Sequence, residues 1–217
     1  MNLSNITAPL LKWYRKEKRD LPWRKSADPY QIWISEIMLQ QTRVEAVKGY
    51  FTRFLAALPD VYALAEVPEQ SLLKLWEGLG YYNRARNLQK AARQIVDQFG
   101  GKLPADYEKL LTLPGIGNYT AGAIASIAFG LPVPAVDGNV LRVLSRLTAS
   151  YEDIALPKTK RAAESALREI MPAGQCGEFS QSLMELGALV CVPNGPPECE
   201  RCPLADLCKA KAAGIAE

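Results

Sequence analysis

Four cysteines, Cys191, Cys199, Cys202 and Cys208, crowd the C-terminal end with seven, two and five residues between them, and Cys176 stands apart. The chain contains no histidine. That excludes Ser-His and Cys-His nucleophile pairs, histidine general bases and every zinc site that needs imidazole, and leaves acid-base work to carboxylates, Lys, Tyr or Cys. In a cytosolic chain such a cysteine group points to a metal more than to disulfides. A four-cysteine zinc site usually pairs two Cys-x-x-Cys knuckles, and only one, ECERC, is present. Four thiolates from one loop suit an iron-sulfur cluster, whose ligands are cysteines. On spacing alone, cluster, zinc and neither all stay open.

Two carboxylates sit where each could do chemistry. Glu36 lies in DPYQIWISEIMLQQTRV, where Tyr30, Trp33, Ile34, Ile37 and Met38 recur at the spacing of an amphipathic helix. On the shoulder of that apolar helix Glu36 reads either as a partly solvated residue beside the core or as an acid whose pKa burial raises. Asp137 opens the apolar-periodic stretch AVDGNVLRVLSR. It reads as an N-cap for the orphan N–H groups of the helix, a position where the charged form is stabilised. One carboxyl kept neutral and one kept ionised can divide the roles of acid and anion.

A third signal is LPGIGNYTAGAIASIAFG, residues 113 to 130. YEKLLTL ends a short helix, Gly115 and Gly117 permit a tight turn, and Asn118 begins an apolar helix. This is a helix-hairpin-helix pattern, whose backbone N–H groups can hold a DNA phosphate without reading sequence. A plain glycine-rich interhelical turn is the alternative.

Helical periodicity supplies the frame for these groups, over roughly 4–18, 31–40, 43–58, 68–76, 82–98, 106–112, 118–130, 138–148, 158–171 and 178–190. Short joints such as LPW, DPY, GLGYY and FGGKLP separate the segments, and alternating β-branched runs are absent, so the fold class is all-α. At 217 residues, 48% hydrophobic and 23% charged, the chain can bury a sizeable core. Neither a signal peptide nor a membrane span is visible, which places it in the cytosol. The net charge is +3, yet residues 1 to 25 hold seven basic groups (Lys12, Arg15, Lys16, Lys18, Arg19, Arg24, Lys25) against Glu17 and Asp20. Such a run suggests a polyanion partner or an ordinary wet helix face.

Taken together, LPWR, DPYQIWISEIMLQQTRV, WEGLGYYNRARNL, LPGIGNYTAGAI, AVDGNVLRVLSR, MELGALVC and the terminal cysteine loop closely resemble the MutY family of adenine DNA glycosylases, within the helix-hairpin-helix superfamily that includes endonuclease III. The resemblance implies a monomeric, cytoplasmic, bacterial enzyme associated with the nucleoid. It would flip adenine opposite 8-oxoguanine or G out of double-stranded DNA and hydrolyse its N-glycosidic bond. Glu36 matches the acid that protonates adenine at N7, and Asp137 the carboxylate that stabilises the oxocarbenium-like sugar, as in glycoside hydrolysis. Asn139 lies near the sugar. Gln41 and Tyr81 match residues that wedge into the duplex, with Thr42 and Leu79 their neighbours at 8-oxoguanine. Trp23, Arg24, Leu39, Val44 and Gln181 match the adenine pocket, and Gly115 and Gly117 the hairpin. Cys191, Cys199, Cys202 and Cys208 match the ligands of a 4Fe-4S cluster. The implied architecture is a six-helix barrel lobe, residues 23–131, and an iron-sulfur lobe built from 1–22 and 132–217, around a DNA-binding cleft.

The sequence departs from the family pattern in three places. The first cysteine gap is one residue longer than is common, so an enlarged loop is expected. That loop, VPNGPPE, carries no Lys or Arg. The chain also stops shortly after Cys208, where full-length relatives add a domain resembling the MutT hydrolases, and a weaker preference for 8-oxoguanine over G is the expectation. Two rivals compete. An endonuclease III-like pyrimidine or T/G mismatch glycosylase would carry a lyase lysine where this chain has Tyr119, which cannot form a Schiff base. A non-catalytic iron-sulfur DNA-binding or electron-transfer protein would not need Glu36, Asp137 and the pocket residues.

Overall fold

The computed structural model describes residues 3–216, and among them every regular element is helical. In chain order these are α1 (Thr7–Glu17), α2 (Pro29–Leu39), α3 (Val44–Ala57), α4 (Val61–Glu66), α5 (Glu69–Trp76), α6 (Asn83–Phe99), α7 (Tyr107–Leu111), α8 (Asn118–Ala123), α9 (Gly138–Thr148), α10 (Pro157–Arg168), α11 (Cys176–Leu189) and α12 (Lys209–Ala212). None is long and apolar enough to cross a membrane.

Local chemistry explains where these differ from the periodicity. Helix α2 starts earlier than expected, at Pro29, because proline suits the first helical position and Asp28 accepts from Tyr30 N at 2.9 Å. Helix α4 escaped the periodic reading because it is only six residues long; Asp60 caps it through Ala63 N at 2.9 Å. The single helix expected over 118–130 instead passes at Ile124 into a π turn, Ile124–Ala128. Inside it, Ser126 Oγ donates back to Gly122 O at 2.8 Å, an interaction that competes with regular helical bonding.

The chain divides into two compact units, one formed by Asp20–Phe129 and the other by Met1–Arg19 with Gly130–Glu217. The continuous unit holds α2 to α8. Its core gathers Trp33, Ile34, Met38, Leu64, Leu72 and Leu88, all essentially removed from water, and Phe54 meets Trp76 edge to face with centroids 6.0 Å apart. In the discontinuous unit α9 packs on α11, α12 and α10, and α11 on α1. Leu10, Val140, Phe179, Leu183, Leu186 and Leu204 fill that core, with Cys191, Cys202 and Cys208 packed at its margin.

The basic N-terminal run is partly consumed in joining α1 to α11. Arg15 pairs with Glu178 at 2.7 Å and also donates to Gln175. Arg19 directs its backbone N, Nε and Nη2 at Glu185, whose side chain is 1% exposed. Lys12, Lys16, Lys18 and Lys25 of the same run remain exposed.

Candidate functional site

In the continuous unit Glu36 sits mid-way along α2 and is 7% exposed, on a helix where Ile32, Trp33, Ile34, Ser35, Ile37 and Met38 are buried too. The partly solvated reading of Glu36 is thus wrong: α2 is apolar nearly all round, so even its shoulder faces protein.

Helix α2 ends at Leu39, and the chain turns through Gln41 with φ +56°. The GLGYY joint turns through Tyr81 with φ +48°. Left-handed backbone in a non-glycine residue costs on the order of 1 kcal/mol or more and marks a position that surrounding contacts over-determine. Both residues are exposed, Tyr81 at 64% despite its ring, whereas Leu79 is buried and Thr42 half-buried. Arg84, in the first turn of α6, explains how both turns are held. Its Nη1 donates to Ile37 O, Met38 O and Gln40 O at 2.9, 2.9 and 2.6 Å. Its Nη2 donates to Thr42 Oγ1, Leu79 O and Gly80 O at 3.2, 3.1 and 3.2 Å. Burial lowers the Arg84 pKa from the ordinary arginine value. Sequence reasoning missed Arg84, one of several basic residues in NRARNL, because nothing in its spacing marks it.

Trp23 lies in the 3-10 turn Pro22–Arg24, 8% exposed, with its ring edge to face on Phe51 at 5.6 Å. Arg24, Leu39 and Val44 are half-buried at the ends of neighbouring elements. The hairpin joins α7 to α8. Gly115 has φ +80°, and a Cβ there would stand 2.9 Å from Asn87 Cβ, so glycine is required on both counts. Gly117 differs from expectation: at φ −99°, ψ −178° it is ordinary extended backbone, and a Cβ would meet nothing within 4 Å. The chain's own turn does not need it. Its missing side chain leaves the exposed peptide ahead of α8 bare. Tyr119 follows, half-buried in the first turn of α8.

In the discontinuous unit Asp137 is the N-cap of α9, as its sequence position suggested. Oδ1 accepts from Val140 N and Oδ2 from Asn139 Nδ2, both at 2.8 Å. Arg142 continues the network, with Nη2 donating to Asn139 Oδ1 at 2.9 Å and to Gly187 O at 2.7 Å, and Nε donating to Cys191 O at 2.8 Å. Gly187 lets α11 approach this corner, since a Cβ there would lie 2.6 Å from Asn139 Cβ. Gln181 accepts from Tyr14 OH at 3.1 Å.

All five cysteines are free thiols. Cys191, Cys199, Cys202 and Cys208 line one cavity, flanked by Arg146, Pro197 and Lys211. Arg146 Nη1 reaches Cys191 Sγ at 3.3 Å. Among the described residues no three His, Cys, Asp or Glu side chains converge closely enough to hold one ion. A tetrahedral zinc site needs sulfurs about 2.3 Å from a single point. Four thiols around one cavity, with no histidine in the chain, are a donor set that suits an iron-sulfur cluster. Burial, with the neighbouring Cys191, Cys208 and Cys199 thiols adding to it against a backbone hydrogen bond at Leu204, pushes the Cys202 thiol up to about 11. Cys176 is buried in the first turn of α11, with Sγ donating to Pro172 O at 3.3 Å.

A chain whose described elements are all helical and that carries this hairpin has the fold of a DNA glycosylase. It is similar to a thermostable thymine-DNA glycosylase, with TM-score 0.88 and 32% identity over 96% of each chain. It is also similar to endonuclease III in a non-covalent DNA complex, with TM-score 0.81 and 26% identity over 100% of each chain. Residues 34–173 match the family described as HhH-GPD superfamily base excision DNA repair protein, and the chain belongs to that superfamily. It is 44% identical to a human adenine DNA glycosylase over 222 residues, which cover 97% of this chain and 40% of that protein. The chain thus spans about two fifths of the length of the human relative.

Proposed function

We propose that this chain is a monofunctional adenine DNA glycosylase that removes adenine opposite 8-oxoguanine or G from double-stranded DNA. The observation that carries the reading is the 44% identity to a protein of that name across 97% of the chain, against 32% to the thymine-DNA glycosylase.

In this reading the two compact units are the barrel lobe and the cluster lobe, and the enzyme works as a monomer in the cytoplasm. Glu36, buried on α2, gives its proton to adenine N7, and the bond between the sugar C1′ and adenine N9 breaks with its electrons moving to the base. Asp137, which accepts hydrogen bonds from Val140 N–H and the Asn139 amide, faces the positive charge that develops on the sugar. Water then forms the new C1′–O bond and gives up a proton. Trp23, Arg24, Leu39, Val44 and Gln181 form the pocket of the flipped adenine. Gln41, Thr42, Leu79 and Tyr81 meet the opposite base, and Gly115 and Gly117 leave peptide groups open to a phosphate. Tyr119 stands where a lyase would need an amine, so no Schiff base forms with C1′.

Cys191, Cys199, Cys202 and Cys208 would hold a 4Fe-4S cluster. Iron-thiolate bonds from these residues would tie the terminal loop to Cys191 at the end of α11.

Single-turnover assays on duplexes carrying A opposite 8-oxoguanine, A opposite G and T opposite G test the reading. Adenine release from the first two is expected. Thymine release without adenine release would replace it with the mismatch-specific alternative.

A further inference from the structure

Two unrelated turns of the continuous unit, 40 residues apart in sequence, share one odd feature. Gln41 and Tyr81 both adopt left-handed backbone without being glycine, and both project into solvent. One guanidinium touches both turns. Arg84 binds the end of α2 and the Thr42 hydroxyl on one side and the Leu79 and Gly80 carbonyls on the other. Its plane lies against the Trp76 and Tyr81 rings, with the guanidinium carbon 5.3 and 5.6 Å from their centroids. Trp76 adds a bond of its own, from Nε1 to Gly80 O at 3.0 Å.

The chemistry of this joint demands arginine. Of the carbonyls at the end of α2, Ile37 O accepts only a long backbone bond from Gln40 N at 3.4 Å, and a cation there adds charge of the right sign. A planar fork with donors on two nitrogens can serve two segments at once, while an ammonium offers one compact centre. A single rigid group therefore couples the geometry of the two turns: neither can relax out of its left-handed conformation without breaking bonds that fix the other.

We propose that Arg84 is the positioning residue that locks Gln41 and Tyr81 into one pre-formed pair, so that both enter the duplex together instead of being ordered on binding. The proposal rests on the reading of those two residues as the wedge beside the opposite base. Pre-organisation removes an ordering cost from recognition, so loss of the lock should weaken discrimination between opposite bases without touching the acid or the anion.

Two measurements on the cluster-loaded full chain without DNA decide the structural half. In wild-type protein, nitrogen-15 spectra should show separate, slowly exchanging Nη1 and Nη2 signals for Arg84; one averaged signal would overturn the lock. Arg84→Lys should raise hydrogen exchange by about 10-fold or more at residues 40–42 and 79–81 together. Arg86→Lys, whose parent side chain pairs with Glu69 on the exposed face of α6, should leave both segments unchanged. Exchange that rises in one segment only, or in neither, overturns the proposal. With DNA, Arg84→Lys should reduce the single-turnover preference for A opposite 8-oxoguanine over A opposite G by about 10-fold, and should cost no more in a Tyr81→Ala background. An additive loss would mean that Arg84 acts on something other than the wedge. If wild-type protein released adenine from no duplex, the glycosylase reading would fall, and the exchange and nitrogen-15 results would still decide the lock.

Discussion

Asn139 binds Asp137 through an Nδ2–H to Oδ2 hydrogen bond of 2.8 Å and is itself fixed by Arg142, which donates to its Oδ1 at 2.9 Å. The carboxylate is thereby held directly by Asn139 and Val140 and indirectly by Arg142, all in the first turns of α9. Replacing Asp137 with Asn keeps the shape and removes the charge. Single-turnover adenine release should fall at least about 100-fold, as when an electrostatic partner of a developing charge is lost, while duplex affinity changes little. Wild-type rates in Asp137→Asn would show that the anion lies elsewhere.

Glu36→Gln should be as damaging for a different reason. The amide fits the buried slot of α2 but has no acidic proton to give, and loss of a general acid costs roughly 100- to 10,000-fold. Retained binding of a duplex with lost base release is the expected pattern; retained release would move the acid to another residue.

Gly187→Ala tests the corner that supports Asp137 without touching it. The new methyl would start 2.6 Å from Asn139 Cβ and 3.1 Å from its backbone Cα and O, so backbone must move. Overpacking of this kind costs about 1–3 kcal/mol. A lower midpoint in chemical denaturation and slower base release are expected together.

The cysteines make a prediction that needs no DNA. Cys202→Ser should lose iron and sulfide on purification, whereas Cys176→Ser, which removes a thiol lying away from the shared cavity, should keep both. Elemental analysis of anaerobically purified wild type should find iron and sulfide; stoichiometric zinc in their place would sink the cluster assignment.

Arg19→Met leaves the Glu185 carboxylate, 1% exposed, without its two-pronged partner. Removing one member of a buried pair costs about 3–5 kcal/mol because the other charge stays buried. Urea unfolding should register a loss of that order, and a loss below about 1 kcal/mol would mean that Glu185 is served well enough by its other contacts.

Much of this was legible in the residues, for reasons that are physical. The apolar spacing announced α2, α6, α9 and α11 because each has a face that must leave water, and the Asp137 cap was visible because an acidic residue ahead of an apolar run has one obvious use. The cysteine group announced itself by crowding. What the residues did not reveal was set by tertiary contact. Gln41 and Tyr81 carry no mark of left-handed backbone, because the conformation is imposed by Arg84 and not by their own preference. The depth of Glu36 depends on what packs over the shoulder of α2, which periodicity along one helix cannot show. Gly117 looked like a turn glycine and is an extended one, since Gly115 alone supplies the positive φ.

The discontinuous unit also sets a timetable for synthesis. Helix α1 leaves the ribosome well before its partners on α11 are made; Arg19 and Glu185 are 166 positions apart. At about 5–20 residues per second, α1 waits roughly ten to thirty seconds with Leu10, Leu11 and Tyr14 uncovered, while the chain from Asp20 to Phe129 can already collapse by itself. The vulnerable species is therefore a nascent one, in which Asp20–Phe129 has collapsed while α1 still lacks its cover. Chaperone dependence should be greatest in the interval before α11 clears the exit tunnel.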